Sequence, residues 1–359
     1  MQTDSIDRAF WNNRRVLVTG HTGFMGGWLC LWLTVLGARV AGYSLAPPTR
    51  PNFFEATGLA DRMCSMIGDI RQGNRLSHAI TEFSPDIVIH LAAQPLVGQA
   101  YEAPAETFAI NVQGTVNLLQ AIRTTDSVQT ALLVTTDKVY EDNDGRAGYR
   151  ESDRLGGQEP YGASKACCEL AVEAFRHSYF DERGLGIATI RAGNIVGGGD
   201  WAANRLVPDA IRAFSSGRPF SIRNPDAIRP WQHVLDPLCG YLLLAQALSK
   251  DPAAHGGPWN FGPPEEDAAT VGMVADHLVR LWGEGAHWNH DGGSLRGGAK
   301  EAKFLRLSSD KASSQLGWTP LWGLERALSA SVDWYRNFLK RQDMGAFSVQ
   351  QIALAEGAN

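Results

Sequence analysis

Apolar residues in this chain gather into short, nearly unbroken runs, each followed by a turn signal and a stretch long enough for a helix. The first run, Arg15–Thr19, stops at Gly20. Others cover 38–44, 86–92, 130–136 and Gly186–Arg191. Continuous runs suit strands buried on both faces, where no polar alternation is needed. Helical patterns lie between them, from Gly26 to Gly37, over 111–123 and over 164–179. Strands alternating with helices predict an α/β fold, a doubly wound parallel sheet with helices on both faces. Past Arg191 the texture changes. Segments 197–230 and 256–298 are rich in Gly, Pro, Trp, Arg and Asn, whereas 234–249 reads as an element returning to the main sheet. The expected division is a first domain over 1–191 plus 234–255, and a smaller C-terminal α/β domain over 192–233 and 256–345 that holds a substrate.

Composition narrows the class. The 359 residues are 44% hydrophobic and 20% charged, ordinary for a globular protein. A formal charge of −5 argues against a general nucleic-acid binder, which needs a basic face for phosphates. The five cysteines are odd in number and include no C-x-x-C pair, so a disulfide framework or zinc site is not expected and a reducing, cytoplasmic setting fits best. No metal is expected. The polar, acid-bearing start does not read as a signal peptide. The longest apolar run, 28–36, falls far short of the ~20 residues of a membrane span.

Gly20, Gly23 and Gly26 punctuate the junction of the first strand and first helix. Glycines there let backbone approach a pyrophosphate, and the helix start offers unpaired N–H groups and a favourable dipole. The strand–turn–helix context makes this a Rossmann-type dinucleotide site rather than an ordinary tight turn, with Gly20, Thr22, Gly23, Phe24, Met25 and Gly26 facing the cofactor. The cofactor ribose usually meets an acid at the end of the second strand. Here that place is Ser44, with no acid present, so this feature does not separate NAD from NADP. Asp69, next to Ile70, is either an acceptor for the adenine amino group or a cap or turn residue. Leu91, Ala92 and Ala93 leave room for backbone contacts with the cofactor.

Tyr161 and Lys165 stand four residues apart, on one face of a helix. A tyrosine, with a reference pKa of ~10, is a base at neutral pH only where nearby positive charge favours its phenolate. Lys165 and a nicotinamide ring are the expected charges. The run 130–136 ends in Thr136, followed by Asp137 and Lys138. Ligands of doubly wound sheets sit at the carboxyl ends of strands. A hydroxyl, a carboxyl and an amine therefore arrive beside the Tyr161 helix. The alternative for Asp137 and Lys138 is a solvated turn.

These motifs resemble the extended short-chain dehydrogenase/reductase family of sugar-nucleotide enzymes. The Thr136-Asp137-Lys138 triplet, Asn194, the loop 197–201 and the block from Arg229 to His233 resemble its nucleotide-sugar 4,6-dehydratase branch, over about residues 10–352. The resemblance implies NAD as cofactor, CDP-glucose or a similar nucleotide sugar as substrate, and deoxysugar synthesis as setting. Tyr161 would take the proton of the sugar's 4-hydroxyl, with Thr136 bonded to the same hydroxyl. Asp137 would be the acid for the departing 6-hydroxyl. Lys138 occupies the place where dTDP-glucose dehydratases carry a glutamate base, and can serve there if desolvation lowers its pKa. Arg229 suits the diphosphate, because guanidinium meets phosphate oxygens in pairs. Gln94, Asn194, Arg205 and His233 are further substrate candidates. Against these stand a surface salt bridge for Arg229 or Arg205, a packing role for His233 and Trp231, and a helix-start role for Asn111. Met25 and Gly27 depart from the Lys and Ser usual in that branch, as does Lys300 from His. The same scaffold also carries C4 epimerases, which need no Asp137–Lys138 pair. The resemblance further implies a homodimer or dimer of dimers, through helices near Asn111 and Ser164.

Overall fold

A computed structural model describes residues 5–142, 148–291 and 305–357; Lys300 lies outside them. Seven strands form one sheet: β1 (Arg15–Thr19), β2 (Arg39–Ser44), β3 (Cys64–Ile67), β4 (Ile87–His90), β5 (Thr130–Val134), β6 (Gly186–Arg191) and β7 (Gly257–Asn260). Their spatial order is β7-β6-β5-β4-β1-β2-β3, and every neighbouring pair is parallel. The chain winds outward from β1 through β2 to β3, then returns to β4 on the other side of β1. Such a reversal leaves a crevice at the carboxyl ends of β1 and β4, the usual ligand position in open α/β sheets.

The unbroken apolar runs have the expected cause. All six residues of β6 and all four of β4 are buried. Successive residues of a strand point to opposite faces. Val16 and Val18 join the cluster under α1 (Phe24–Val35), while Leu17 joins the one under α2 (Gly114–Arg123). Helix α3 (Pro160–Phe175) covers the sheet from β5 to β6. The expected return over 234–249 is α4 (Leu235–Lys250), almost wholly buried and packed on β5 and β6.

The smaller unit contains three two-stranded pairs. Ile195–Val196 pairs with Gln232–His233, Ile228–Pro230 with Ala268–Thr270, and Phe220–Ile222 with Trp288–His290. Its apolar side chains are continuous with the main core: Trp231, Phe261, Trp318 and Trp334 share one cluster with Val16 and Trp28. Asp236 helps lock the junction. Its carboxylate accepts from the backbone N–H groups of His233 (2.9 Å), Leu321 (2.8 Å) and Trp322 (3.2 Å).

Two expectations need correction. Gly257–Asn260 was assigned to the smaller domain, but it is the edge strand of the main sheet. It carries Pro258 and only four residues, so it shows no apolar run; an edge is where a strand tolerates proline. Asn111 does not head a helix. It lies in a π-helical turn, Ala109–Gln113, between helical residues Pro104–Phe108 and α2. Among the described residues, no helix is long and apolar enough to cross a membrane. All five cysteines are unpaired.

Candidate active site

The glycine turn has the form a dinucleotide needs. Gly20 has φ 81°, and a Cβ there would lie 2.7 Å from Ala92 N. A Cβ on Gly26 would lie 2.1 Å from Gly20 O. Side chains at these positions would therefore break both the turn and its contact with the end of β4. Gly23 caps α1 with no side-chain hydrogen bond, so the first turn keeps its N–H groups for a ligand. The Thr22 hydroxyl donates to Leu45 O (2.8 Å) and meets Ser44 Oγ at 2.9 Å, fastening the turn to the end of β2. Phe24, Met25, Leu91, Ala92 and Ala93 are half-buried around the crevice. The cradle thus fits a dinucleotide on its own geometry. Asp69 has the turn role: its carboxylate accepts from Arg71 N (2.8 Å) and pairs with Arg71 Nη2 (2.6 Å), which holds it below the usual carboxylate range. The Ile70 side chain is buried against Gly114, leaving only its backbone for a ligand.

Past the end of β5, Thr136, Asp137 and Lys138 turn sharply toward α3. The Thr136 hydroxyl donates to Asp137 Oδ1 (3.0 Å), and Lys138 Nζ donates to the same oxygen (3.1 Å). Asn194 Nδ2 donates to Asp137 Oδ2 (3.2 Å). Asp137 is 1% exposed, whereas the Lys138 side chain is 36% exposed. Asp137 is therefore not a solvated turn residue, and Lys138 is not the desolvated amine that the substitution for glutamate called for. Tyr161 stands on the first turn of α3, capped by Glu159, which accepts from the N–H groups of Tyr161 and Gly162. Burial pushes its phenol up to about 12; the Thr136 hydroxyl and Arg205 pull it down, and Asp137 and Glu159 push it further up. The expected lowering is thus absent from the protein alone, because burial outweighs the cations. Lys165 directs its ammonium to Val134 O (2.9 Å), and burial lowers its pKa.

The remaining candidates divide. Asn194 joins the centre, and its left-handed backbone (φ 51°) aims its amide at Asp137. Arg205 acts electrostatically on Tyr161 and is anchored to Asp200 (2.9 Å). Arg229, half-buried, lies in the pair Ile228–Pro230 with Ala268–Thr270. Gln94 is not available: its amide donates to Thr107 Oγ1 (2.9 Å) and its carbonyl accepts from Leu96 N (2.6 Å). His233 is also excluded, since it is 0% exposed between Trp28 and Trp322. A side chain with no exposed atom in an aromatic core packs; it does not touch a substrate. Sequence reasoning weighed Asn111 between an active-site and a helix-start role but missed what its amide does: it donates to Ser164 Oγ (2.9 Å) and to Gln94 O (3.2 Å), tying β4's exit loop to α3. It also missed Gly193, where a Cβ would lie 1.9 Å from Asp137 Oδ2. No local pattern marks either contact.

Three buried histidines set a pH response. Burial lowers His21 to about 4, and lowers His90 and His233 to about 3, from 6.5. These groups stabilise the fold fully above their unfolded value and lose that contribution as pH falls toward the folded ones. Burial raises Asp236 from 3.8 to about 7, which acts oppositely: the folded state holds its proton between those values. At pH 5 the unfolded chain then carries about two more protons than the folded one from these four groups. Urea unfolding should show a stability loss on the order of 3 kcal/mol between pH 7 and pH 5. A flat profile would mean that these histidines are not neutral in the fold.

The parallel sheet, the glycine cradle and the Tyr161–Lys165 helix define a dinucleotide-dependent enzyme of the extended short-chain type. Residues 16–262 match the model of the NAD dependent epimerase/dehydratase family, and the chain belongs to that family. It is 47% identical to CDP-glucose 4,6-dehydratase of Salmonella typhimurium, over 97% of this chain and 98% of that one. It is 28% identical to dTDP-glucose 4,6-dehydratase of Xanthomonas campestris pv. campestris, over 89% of this chain and 92% of the other. Among solved structures, UDP-glucose 4-epimerase of Thermus thermophilus in complex with NAD superposes with a TM-score of 0.77 at 26% identity, covering 90% of this chain and 99% of that one.

Proposed function

We propose that this enzyme converts CDP-D-glucose to CDP-4-dehydro-6-deoxy-D-glucose with loss of water. The observation that carries the reading is the Asp137–Lys138 contact of 3.1 Å beside Thr136 and Tyr161. Exchange of configuration at C4 needs one base and a hydride acceptor. Eliminating water needs an additional acid and base, and this site holds that extra pair. The 47% identity to a CDP-glucose 4,6-dehydratase supports the same substrate.

Gly20, Gly23, Gly26 and the open start of α1 would hold the NAD pyrophosphate, with Thr22 and Ser44 near its ribose. Bound there, the nicotinamide supplies reversible hydride exchange, out of the sugar and back into it, so no NAD is consumed. Tyr161, with Thr136 beside it, takes the proton from the 4-hydroxyl. Once C4 is a ketone, the C5 proton is acidic. When bound sugar covers the half-open Lys138 side chain and desolvates its amine, Lys138 takes that proton, and Asp137 protonates the 6-hydroxyl as it leaves. At 3.1 Å the two groups share one hydrogen bond, along which the proton gained from C5 replaces the one given to the 6-hydroxyl. As hydride returns to C6, C5 takes back a proton from solvent; the 4-hydroxyl hydrogen and the 6-hydroxyl then account for the water lost, and the C4 hydrogen for the third hydrogen of the methyl. Arg229 and Arg205 are the cations proposed for the diphosphate.

Incubation of the pure protein with CDP-glucose in heavy water tests this. Expected is a 4-keto-6-deoxy sugar with deuterium at C5 and no net NADH; CDP-galactose, or unchanged substrate, would overturn it. Asp137→Asn should slow water loss by about 10²-fold or more while nucleotide binding stays close to that of the wild type. Equal loss of both would make Asp137 structural.

The assembly read from the same resemblance is a homodimer through the helices around Asn111 and α3. The exposure of Leu170 (61%), Tyr101 (38%) and Phe108 (37%) supports that face. Five unpaired cysteines support a reducing cytoplasmic setting.

A further inference from the structure

We propose that Gln232 is a positioning residue for the elimination step, holding the backbone on which the Asp137 carboxylate rests. This deepens the dehydratase reading and rests on Asp137 being the acid. Gln232 lies between Arg229 and His233, in the stretch whose arginine suits a diphosphate, yet its side chain points away from solvent and is 1% exposed. Its amide Nε2 donates to Gly193 O (3.1 Å) and to Phe261 O (3.0 Å). Its backbone N–H donates to Asn194 O (3.3 Å). One residue therefore grips two consecutive carbonyls, those of Gly193 and Asn194.

Those two residues form the seat of Asp137. The carboxylate lies so close over Gly193 that a Cβ there would come within 1.9 Å of Oδ2. Asn194 holds that same oxygen through its amide, from a left-handed backbone that a freer chain would leave. Asp137 N donates to Ala192 O (3.3 Å), so the same short segment sets both ends of the acid. Without Gln232, nothing among these contacts fixes the Gly193 carbonyl. The peptide is then free to rotate, and both the floor and the Asn194 donor move with it. Tyr161 is placed separately, on α3, by the Glu159 cap. Loss of Gln232 should therefore act on elimination and spare oxidation at C4.

Gln232 Oε1 is buried with no hydrogen-bond partner. A side chain kept amide-bearing at that cost is retained for its two donor bonds, because an apolar group of the same length would avoid an unpaired acceptor.

The test is Gln232→Met in the full-length enzyme, supplied with NAD and CDP-glucose. Single-turnover absorbance at 340 nm reports oxidation, and release of the 4-keto-6-deoxy product reports elimination. The expected result is an oxidation rate within about twofold of wild type, elimination slowed about tenfold or more, and absorbance at 340 nm that persists where that of the wild type decays within the turnover. KM for CDP-glucose should stay near the wild-type value while kcat falls. Parallel loss of both half-reactions, or unchanged kcat, would overturn the proposal. Should Gln232→Met not fold, Gln232→Leu removes the same Nε2 donor from the Gly193 carbonyl and must show the same split. If the wild type itself forms no 4-keto-6-deoxy sugar, the dehydratase reading fails, an outcome distinct from either variant result.

Discussion

Tyr161→Phe is expected to lower kcat on CDP-glucose by about 10²- to 10⁴-fold, the range for removing a positioned general base, while leaving the melting temperature close to that of the wild type. The phenol carries this weight because the other groups are placed for different tasks. Lys165 is turned to the Val134 carbonyl, and Asp137 is fixed to Thr136, Lys138 and Asn194. No other group on the first turn of α3 titrates near the end of β5. The pH profile should carry the same signature. Burial pushes the phenol up to about 12, so in the free enzyme the base is protonated through neutrality. The kcat/KM of the wild type should then climb from pH 6 to pH 9, and that of Tyr161→Phe should be flat. A wild-type profile that falls with pH, or a variant with full activity, would remove Tyr161 from the reaction.

Glu169→Ala should cost about 3–5 kcal/mol of stability, the largest single effect expected outside the active centre. The Glu169 and Arg191 side chains are 4% and 3% exposed and pair at 2.9 Å. Glu169 also accepts from Thr135 Oγ1 (2.5 Å) and Thr189 Oγ1 (2.6 Å). Arg191 reaches on to Tyr140 OH (2.8 Å) and Glu151 O (3.1 Å). Removing the carboxylate leaves a buried guanidinium without its counter-charge and the Thr189 hydroxyl without its acceptor, while Thr135 keeps Ile190 O (3.0 Å). Urea unfolding at pH 7 measures the loss. Glu169→Leu combined with Arg191→Met should recover much of it, since a buried pair exchanged for apolar groups is often neutral. Equal instability of the single and double variants would mean that volume, not charge, decides.

The central strands were legible because burial on both faces leaves a continuous apolar run: β1 and β6 match their expected bounds residue for residue. Edge strands leave no such trace. β3 is largely exposed, and β7 contains proline. The glycine cradle and the Tyr161–Lys165 pair were legible because each is local, set by spacing within one turn of chain. Contacts that join distant segments were not. Glu169 and Arg191 sit on different elements 22 positions apart, and nothing in the sequence between them announces the pair. Gln94 and His233 were misread for a related reason. A polar side chain beside a motif looks the same in sequence whether it faces the cleft or satisfies the interior, and only packing separates the two.

The π-helical turn at Ala109–Gln113 has a consequence for how the chain tolerates length change. One residue advances an α-helix by ~100° of rotation. A π turn holds one residue more than an α turn, so the surplus is taken up within the turn and the side chains beyond it keep their phase. Deleting one residue there lets a regular α turn close in its place, so Leu118, Leu119 and Ile122 keep the buried face they now occupy, whereas the same deletion inside α2 would turn the residues beyond it by ~100°. Deletion within the π turn would shift the Asn111 carbonyl away from Cys168 Sγ, which donates to it at 3.2 Å. The surplus residue works as slack in the frame: the loss of a single codon is absorbed at this turn, and the same loss one turn later would be decoded correctly by the ribosome and wrongly by the fold.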